Sequence, residues 1–135
     1  MTAVEFRAGA AVVNIDPPLG LPMVGVVRRP EPASSRVGSL EVTAVAFDRG
    51  GTRVVVCGVD TAILQSPEVD ELRDRISEAT KAARPGVIVN CNHTHHAPAG
   101  GRTTYDVLGF GDPEYREQAV AYIDRLHGQI VDACR

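Results

Sequence analysis

The chain has 135 residues, of which 44% are apolar and 23% charged, an ordinary globular composition with enough length to bury a sizeable core. Its formal net charge of −3 provides no basic field to attract nucleic acid or an anionic membrane. No segment reaches the roughly 18 uninterrupted apolar residues of a membrane-spanning helix.

Aromatic residues make up 4% and Trp is absent, so the core falls to Val, Ile, Leu and Ala. Cys57, Cys91 and Cys134 are odd in number, widely spaced and without a CxxC pair. That argues against a disulfide framework or a zinc ribbon and suits three small buried apolar side chains in a reducing compartment. Glu5 and Arg7 interrupt the apolar stretch that a signal peptide needs. Both readings lead to the expectation of a cytoplasmic protein.

In chain order, Phe6 to Ile15 reads as a strand, carried by Val12, Val13 and Ile15. Asp16-Pro17-Pro18 stops it. From there to Gly38 the chain holds five prolines with Gly20 and Gly25, a long stiffened loop of the kind that is functional when it lies inside a compact domain. Met23, Val24, Val26 and Val27 give it apolar residues with which to pack. Arg28 and Arg29 within it are read as solvated, or as a contact for an anionic group.

Leu40 to Asp48 and Thr52 to Asp60 are two strands joined by the Arg49-Gly50-Gly51 turn, hence a hairpin. The run Val54-Val55-Val56 predicts a strand covered on both faces. Ser66-Pro67 opens a helix over 67–83, with Ser66 as the N-cap. Val69, Leu72, Ile76, Ala79 and Ala83 form its apolar stripe, and Arg84-Pro85-Gly86 ends it. Val87 to Cys91 is a short buried strand. Strand, helix and strand over 52–91 make a βαβ unit with the two strands parallel. A loop over 100–111 follows. Asp112-Pro113 then starts a helix over 113–135, with Val120, Ile123, Ile130, Val131 and Cys134 on one face. His127 falls on that face and is read as a packing histidine. The last helix meets the end of the chain without a stop signal. The expected architecture is α/β: a mixed β-sheet with flanking helices, and a site at the carboxyl end of the strand over 87–91.

Three of the four histidines lie in the segment NCNHTHHAPAGG, residues 90–101. His93 and His95 form an HxH pair. In extended backbone, residues i and i+2 point to one side, so the two imidazoles can share a metal, or one can hold metal while the other meets substrate. Sites in open α/β sheets gather beyond the carboxyl ends of parallel strands. His96 points away from that pair. A polar loop or a hydrogen-bonding cluster explains the same residues, and spacing alone leaves the two readings open. Cys91 beside the motif is a conceivable soft ligand but fits a buried strand cysteine better. Asp60, ending a strand, either supports the site or caps a turn. Gly25 either walls the pocket or is a turn glycine. Arg102 and Tyr105 follow the motif within reach of a substrate. The HxH pairs of barrel amidohydrolases follow a first strand, and a histidine-triad hydrolase needs a third alternating His where Ala97 stands.

Three stretches resemble the N-terminal part of the neutral/alkaline (non-lysosomal) ceramidase family: AGAAVVNIDPPLGLPMVG (8–25), LEVTAVAFDRGGTRVVVCGVD (40–60) and NHTHHAPAGG (92–101). The last is similar to that family's HTHSGP-type motif, and the likeness runs in order over essentially the whole chain. The resemblance implies a single domain over 1–135 that forms the N-terminal portion of a longer catalytic domain. It implies a zinc-dependent hydrolase cleaving N-acylsphingosine or a related small-molecule or lipid amide by a metal-bound hydroxide. By the same carry-over His93 is a zinc ligand and His95 binds or polarises the scissile amide, with Asp60, Gly25 and His96 as supporting or substrate-side residues. Two departures stand out. His96-Ala97 replaces the family's Ser-Gly, and the family's further His, Glu and Tyr ligands have no counterpart before Arg135. The alternative is a truncated or degenerate relative, folded but non-catalytic, acting as a binding module.

Overall fold

The computed structural model describes residues 4–25, 31–107 and 113–135. Four strands lie in sequence order across one mixed sheet: β1 (Phe6–Asn14), β2 (Glu41–Arg49), β3 (Thr52–Val59) and β4 (Val87–Cys91). β1 with β2 and β2 with β3 are antiparallel, and β3 with β4 is parallel. This is the hairpin and βαβ order read from the sequence. The helices are α1 (Ser66–Thr80), α2 (Arg102–Val107) and α3 (Pro113–Cys134). No described helix is long and apolar enough to cross a membrane.

The hairpin register follows from the side-chain period of two. Val42 and Ala44 of β2, and Val55, Cys57 and Val59 of β3, all point to the face covered by α1 and α3, and all are buried. The helices bring Leu72 and Ile76 from α1, and Ile123, Leu126 and Ile130 from α3, to the same core.

The opposite face overturns one expectation. Val54 and Val56 are 36% and 37% exposed, and Ile88 is 49% exposed. β3 is therefore buried on one side only. The apolar run matched a two-sided strand, but β3's own hairpin with β2 places it in an antiparallel pair, which commonly leaves one face open.

α1 starts at Ser66 with Gln65 in the cap position, and stops at Thr80 because Lys81 takes a left-handed backbone (φ 61°). It is thus shorter than 67–83. Thr80 Oγ1 donates back to Ile76 O and accepts from Ala82 N, which pulls the chain out of the helix. Arg84-Pro85-Gly86 forms a single 3-10 turn into β4. The expected loop over 100–111 contains a helical segment, α2. Glu68 explains it: its Oε1 accepts from Thr103 N at 2.8 Å, so a side chain from α1 satisfies one of the free N–H groups at the start of α2. α3 spans the expected range, ending one residue earlier. The proposed Asp112 cap, Arg28 and Arg29 lie outside the described residues.

Candidate functional site

The motif sits where β4 leaves the sheet. Asn92 N donates to Val59 O at 3.2 Å and His93 N to Thr61 O at 3.2 Å. The motif therefore keeps following the chain beyond β3 for two residues past the end of β4. Asn92 fixes the turn that comes next. Its Nδ2 donates to Asp60 Oδ1 at 2.6 Å, and its Oδ1 accepts from Thr94 N at 3.0 Å. Asp60 Oδ2 in turn accepts from Glu41 N at 2.8 Å. Asp60 thus ties together the first residue of β2 and the turn that presents the histidines, so it acts on the motif through Asn92.

His93 and His95 do come together, but not through an extended backbone. His93 has φ 64°, the left-handed region that a side-chain-bearing residue enters at a cost of about 1–3 kcal/mol and that clusters at functional positions. The two rings meet edge to face with centroids 4.9 Å apart.

His93 Nδ1 lies 2.8 Å from Ala62 O. A carbonyl only accepts, so Nδ1 carries the hydrogen and Nε2 holds the lone pair. A backbone carbonyl that fixes the tautomer in this way is the arrangement that supports a metal-ligating histidine. The donor at His93 therefore fits zinc. Among the described residues, no group of three or more His, Cys, Asp or Glu side chains is placed to hold a metal. Cys91 is partly buried, and burial pushes its thiol above the usual range, which favours the reading of a packing cysteine over a soft ligand.

Gly25 walls the site directly. The segment around it bridges to the motif through Val24 N donating to Ala97 O at 2.9 Å. A Cβ on Gly25 would lie 2.5 Å from Cγ of His95, and the φ there is 108°. Only glycine lets this arm pass so close under the imidazole. No pattern around Gly25 reveals that contact, because it joins positions 70 residues apart in sequence.

His96 is separated from the pair. It lines a cavity of about 380 Å³ under the β1–β2 loop, with Asp16, Leu19, Met23, Arg36 and Leu40 among its walls. Arg102 pairs with Asp124 at 2.6 Å and Tyr105 is buried, so neither faces the histidine pair from an open loop. His127, also buried, donates from Nε2 to Gly100 O at 2.9 Å. It holds the end of the motif, in keeping with a packing role.

No family model and no curated protein matches the sequence. Solved structures do match the fold. Neutral ceramidase from Pseudomonas aeruginosa aligns with a TM-score of 0.68 at 17% identity, over 98% of this chain and 21% of that one. A ceramidase complexed with C2 aligns with a TM-score of 0.72 at 18% identity, over 97% of this chain and 20% of that one. The chain spans about one fifth of the length of these neighbours, and at such identity what is shared is the fold: this α/β unit has the architecture of part of a neutral ceramidase.

Proposed function

We propose that the chain carries the first metal ligand and the carbonyl-facing histidine of a zinc-dependent, ceramidase-like amide hydrolase, acting on N-acylsphingosine or a related amide. The observation that carries this reading is the His93 tautomer. Nδ1 is committed to Ala62 O, which leaves Nε2 as the donor beside a second imidazole 4.9 Å away. The fold similarity to neutral ceramidase supports it.

In this reading His93 Nε2 holds zinc, and donors from elsewhere complete its coordination. Zinc, when bound, supplies Lewis-acid polarisation and lowers the pKa of water to about 7. The chain's own contribution is positional. Ala62 O orients the His93 ring, the Asp60–Asn92 pair holds the turn, and Gly25 sets where the His95 ring rests. His95 can then donate to the amide oxygen as negative charge develops there, or move a proton to the departing nitrogen. Both roles need a ring held in place, and contact with Gly25 provides that.

The test is zinc stoichiometry alongside turnover of an N-acyl amide. His93→Ala is expected to lose zinc, and His95→Ala to keep zinc while losing turnover. Retention of zinc and turnover in His93→Ala would refute the ligand assignment. The second reading, a folded non-catalytic relative, is favoured by the lack of a three-donor group among the described residues. A wild-type chain that takes up no metal even in excess zinc would establish it.

A further inference from the structure

Two of the three cysteines meet in the core, and neither has a part in the chemistry assigned to His93 and His95. Cys57 points inward from β3 and is wholly buried, while Cys134 closes α3 and is 4% exposed. They lie far apart in sequence, but α3 covers the inner face of the sheet and brings them into hydrogen-bonding contact. Both are free thiols. The contact is asymmetric. Cys57 keeps its proton and donates it to the Cys134 sulfur, and this bond, together with burial, pushes the Cys57 thiol well above its usual range. At Cys134 the same bond outweighs burial and lowers the thiol. Cys91 is instead raised by burial. The thiolate is the attacking form of cysteine, so the pair has one sulfur prepared to attack and one that holds its proton beside it.

The fold also leads a small molecule to Cys134. Two clefts of about 180 and 240 Å³ run along the inner side of the β1–β2 edge, and Cys134 lines both. The first continues to Val55, which is two residues before Cys57 on the same face of β3. Small residues keep this route open: Gly9 and Ala11 of β1, and Ala44 and Ala46 of β2. A Cβ on Gly9 would have no atom within 4 Å, and β1 is exposed along this whole stretch. Cys134 stands in the last turn of its helix, where backbone bonds open most readily. Cys57 lines neither cleft, so a reagent meets Cys134 first.

We propose that Cys134 and Cys57 form a reversible redox couple, in which Cys134 is the entry thiol for a small-molecule disulfide and Cys57 the resolving thiol that closes a bond between α3 and β3. The Cys134 thiolate attacks one sulfur of the reagent. A Cys134–reagent bond forms, the reagent's S–S bond breaks, and its other half leaves as a thiolate. Cys57 then gives up its proton to that thiolate and attacks the Cys134 sulfur, displacing the second half. The two protein thiols are oxidised by two electrons and one small disulfide is reduced to two thiols.

The test exposes the reduced, folded full chain to 2-hydroxyethyl disulfide and maps the products by peptide mass. The expected product is a monomer with a Cys57–Cys134 bond and an unmodified Cys91, restored to three thiols by dithiothreitol. The bond pins the last turn of α3, so amide exchange over residues 130–134 is expected to slow at least tenfold. The rate of oxidation is expected to reach half its maximum below pH 9.0, the ordinary thiol value. Cys134→Ala should slow the reaction at Cys57 at least tenfold, and Cys57→Ala should leave a lasting mixed disulfide on Cys134. A lasting mixed disulfide in the wild type, reaction at Cys91 before Cys134, a half-maximum at or above pH 9.0, undiminished reaction of Cys57 in Cys134→Ala, or a Cys57–Cys134 bond that forms only in urea would each overturn the proposal. The wild-type results decide it even if Cys57→Ala does not fold.

Discussion

Gly25→Ala is the most discriminating single substitution for the site. It acts in two separable ways. The φ of 108° lies outside the regions open to an L side chain, a strain of about 1–3 kcal/mol. The added Cβ would also meet Cγ, Cβ and Cδ2 of His95 at 2.5, 2.8 and 2.8 Å, about 1 Å inside the ~3.5–4.0 Å of a good carbon contact. These atoms are at the root of the ring, so a simple swing of the imidazole does not relieve the overlap. Either His95 leaves its rotamer, or the arm retreats and breaks the bond from Val24 N to Ala97 O. Overpacking of this kind adds about 1–3 kcal/mol. The combined loss is about 2–6 kcal/mol, a large share of the ~5–15 kcal/mol that stabilises a typical domain.

Gly20→Ala is the control. Its φ of 92° carries comparable strain, but a Cβ there has no atom within 4 Å. Urea unfolding of both variants isolates the clash as the difference between them, and the His95 ring resonances report directly whether the imidazole has moved. If Gly25→Ala is no less stable than Gly20→Ala and the His95 resonances stay in place, the account of Gly25 as the wall behind His95 is wrong.

Other expectations concern the frame around the site. Hydrogen bonding from the Leu40 N–H, then from Asn14, with the charge of Arg36 behind them, holds the Asp16 carboxyl below its usual value of 3.8. A depressed carboxyl stabilises the fold fully above its unfolded value and loses that contribution as pH falls through the folded one. Acid titration monitored at the Leu40 amide should thus show the β1–β2 loop anchor released only below about pH 3.8, and Asp16→Asn should abolish that transition. Burial pushes Glu68 up, but hydrogen bonds from Thr103 outweigh it and leave the carboxyl lowered. Glu68→Ala strands the Thr103 N–H, so a loss of about 1–3 kcal/mol is expected, with faster amide exchange across α2. A variant as stable as the wild type would show that α2 does not depend on this cap. Val55→Thr should cost about 1–3 kcal/mol, because the hydroxyl enters a fully buried position, whereas Val56→Thr should cost under about 0.5 kcal/mol. Equal costs in thermal unfolding would mean that the open sheet face is covered.

Much of the frame could be read from the sequence because it is governed by local rules. The hairpin, the α1 stripe and the parallel return to β4 follow from side-chain periods, a Gly-Gly turn and a Pro at a helix start, all within a few residues. The position of His93 and His95 just beyond β4 followed from the same reading. What failed depended on atoms distant in sequence. The valine run of β3 looks the same whether one face is covered or two, and only the partners of the sheet decide that. α2 is short and forms around a carboxylate from α1, a contact between residues 35 positions apart. The histidines were expected to meet through an extended backbone. They meet instead because His93 turns left-handed, held there by Thr61 O and Ala62 O from beyond the end of β3. By itself, then, the sequence determined which elements form and where the motif lies along them, since periodicity and turn chemistry act over neighbouring residues. The tertiary structure alone decided which nitrogen of His93 is free, that Gly25 lies beneath His95, and that His96 turns into a cavity of its own, because each depends on backbone groups brought close only by the folded chain.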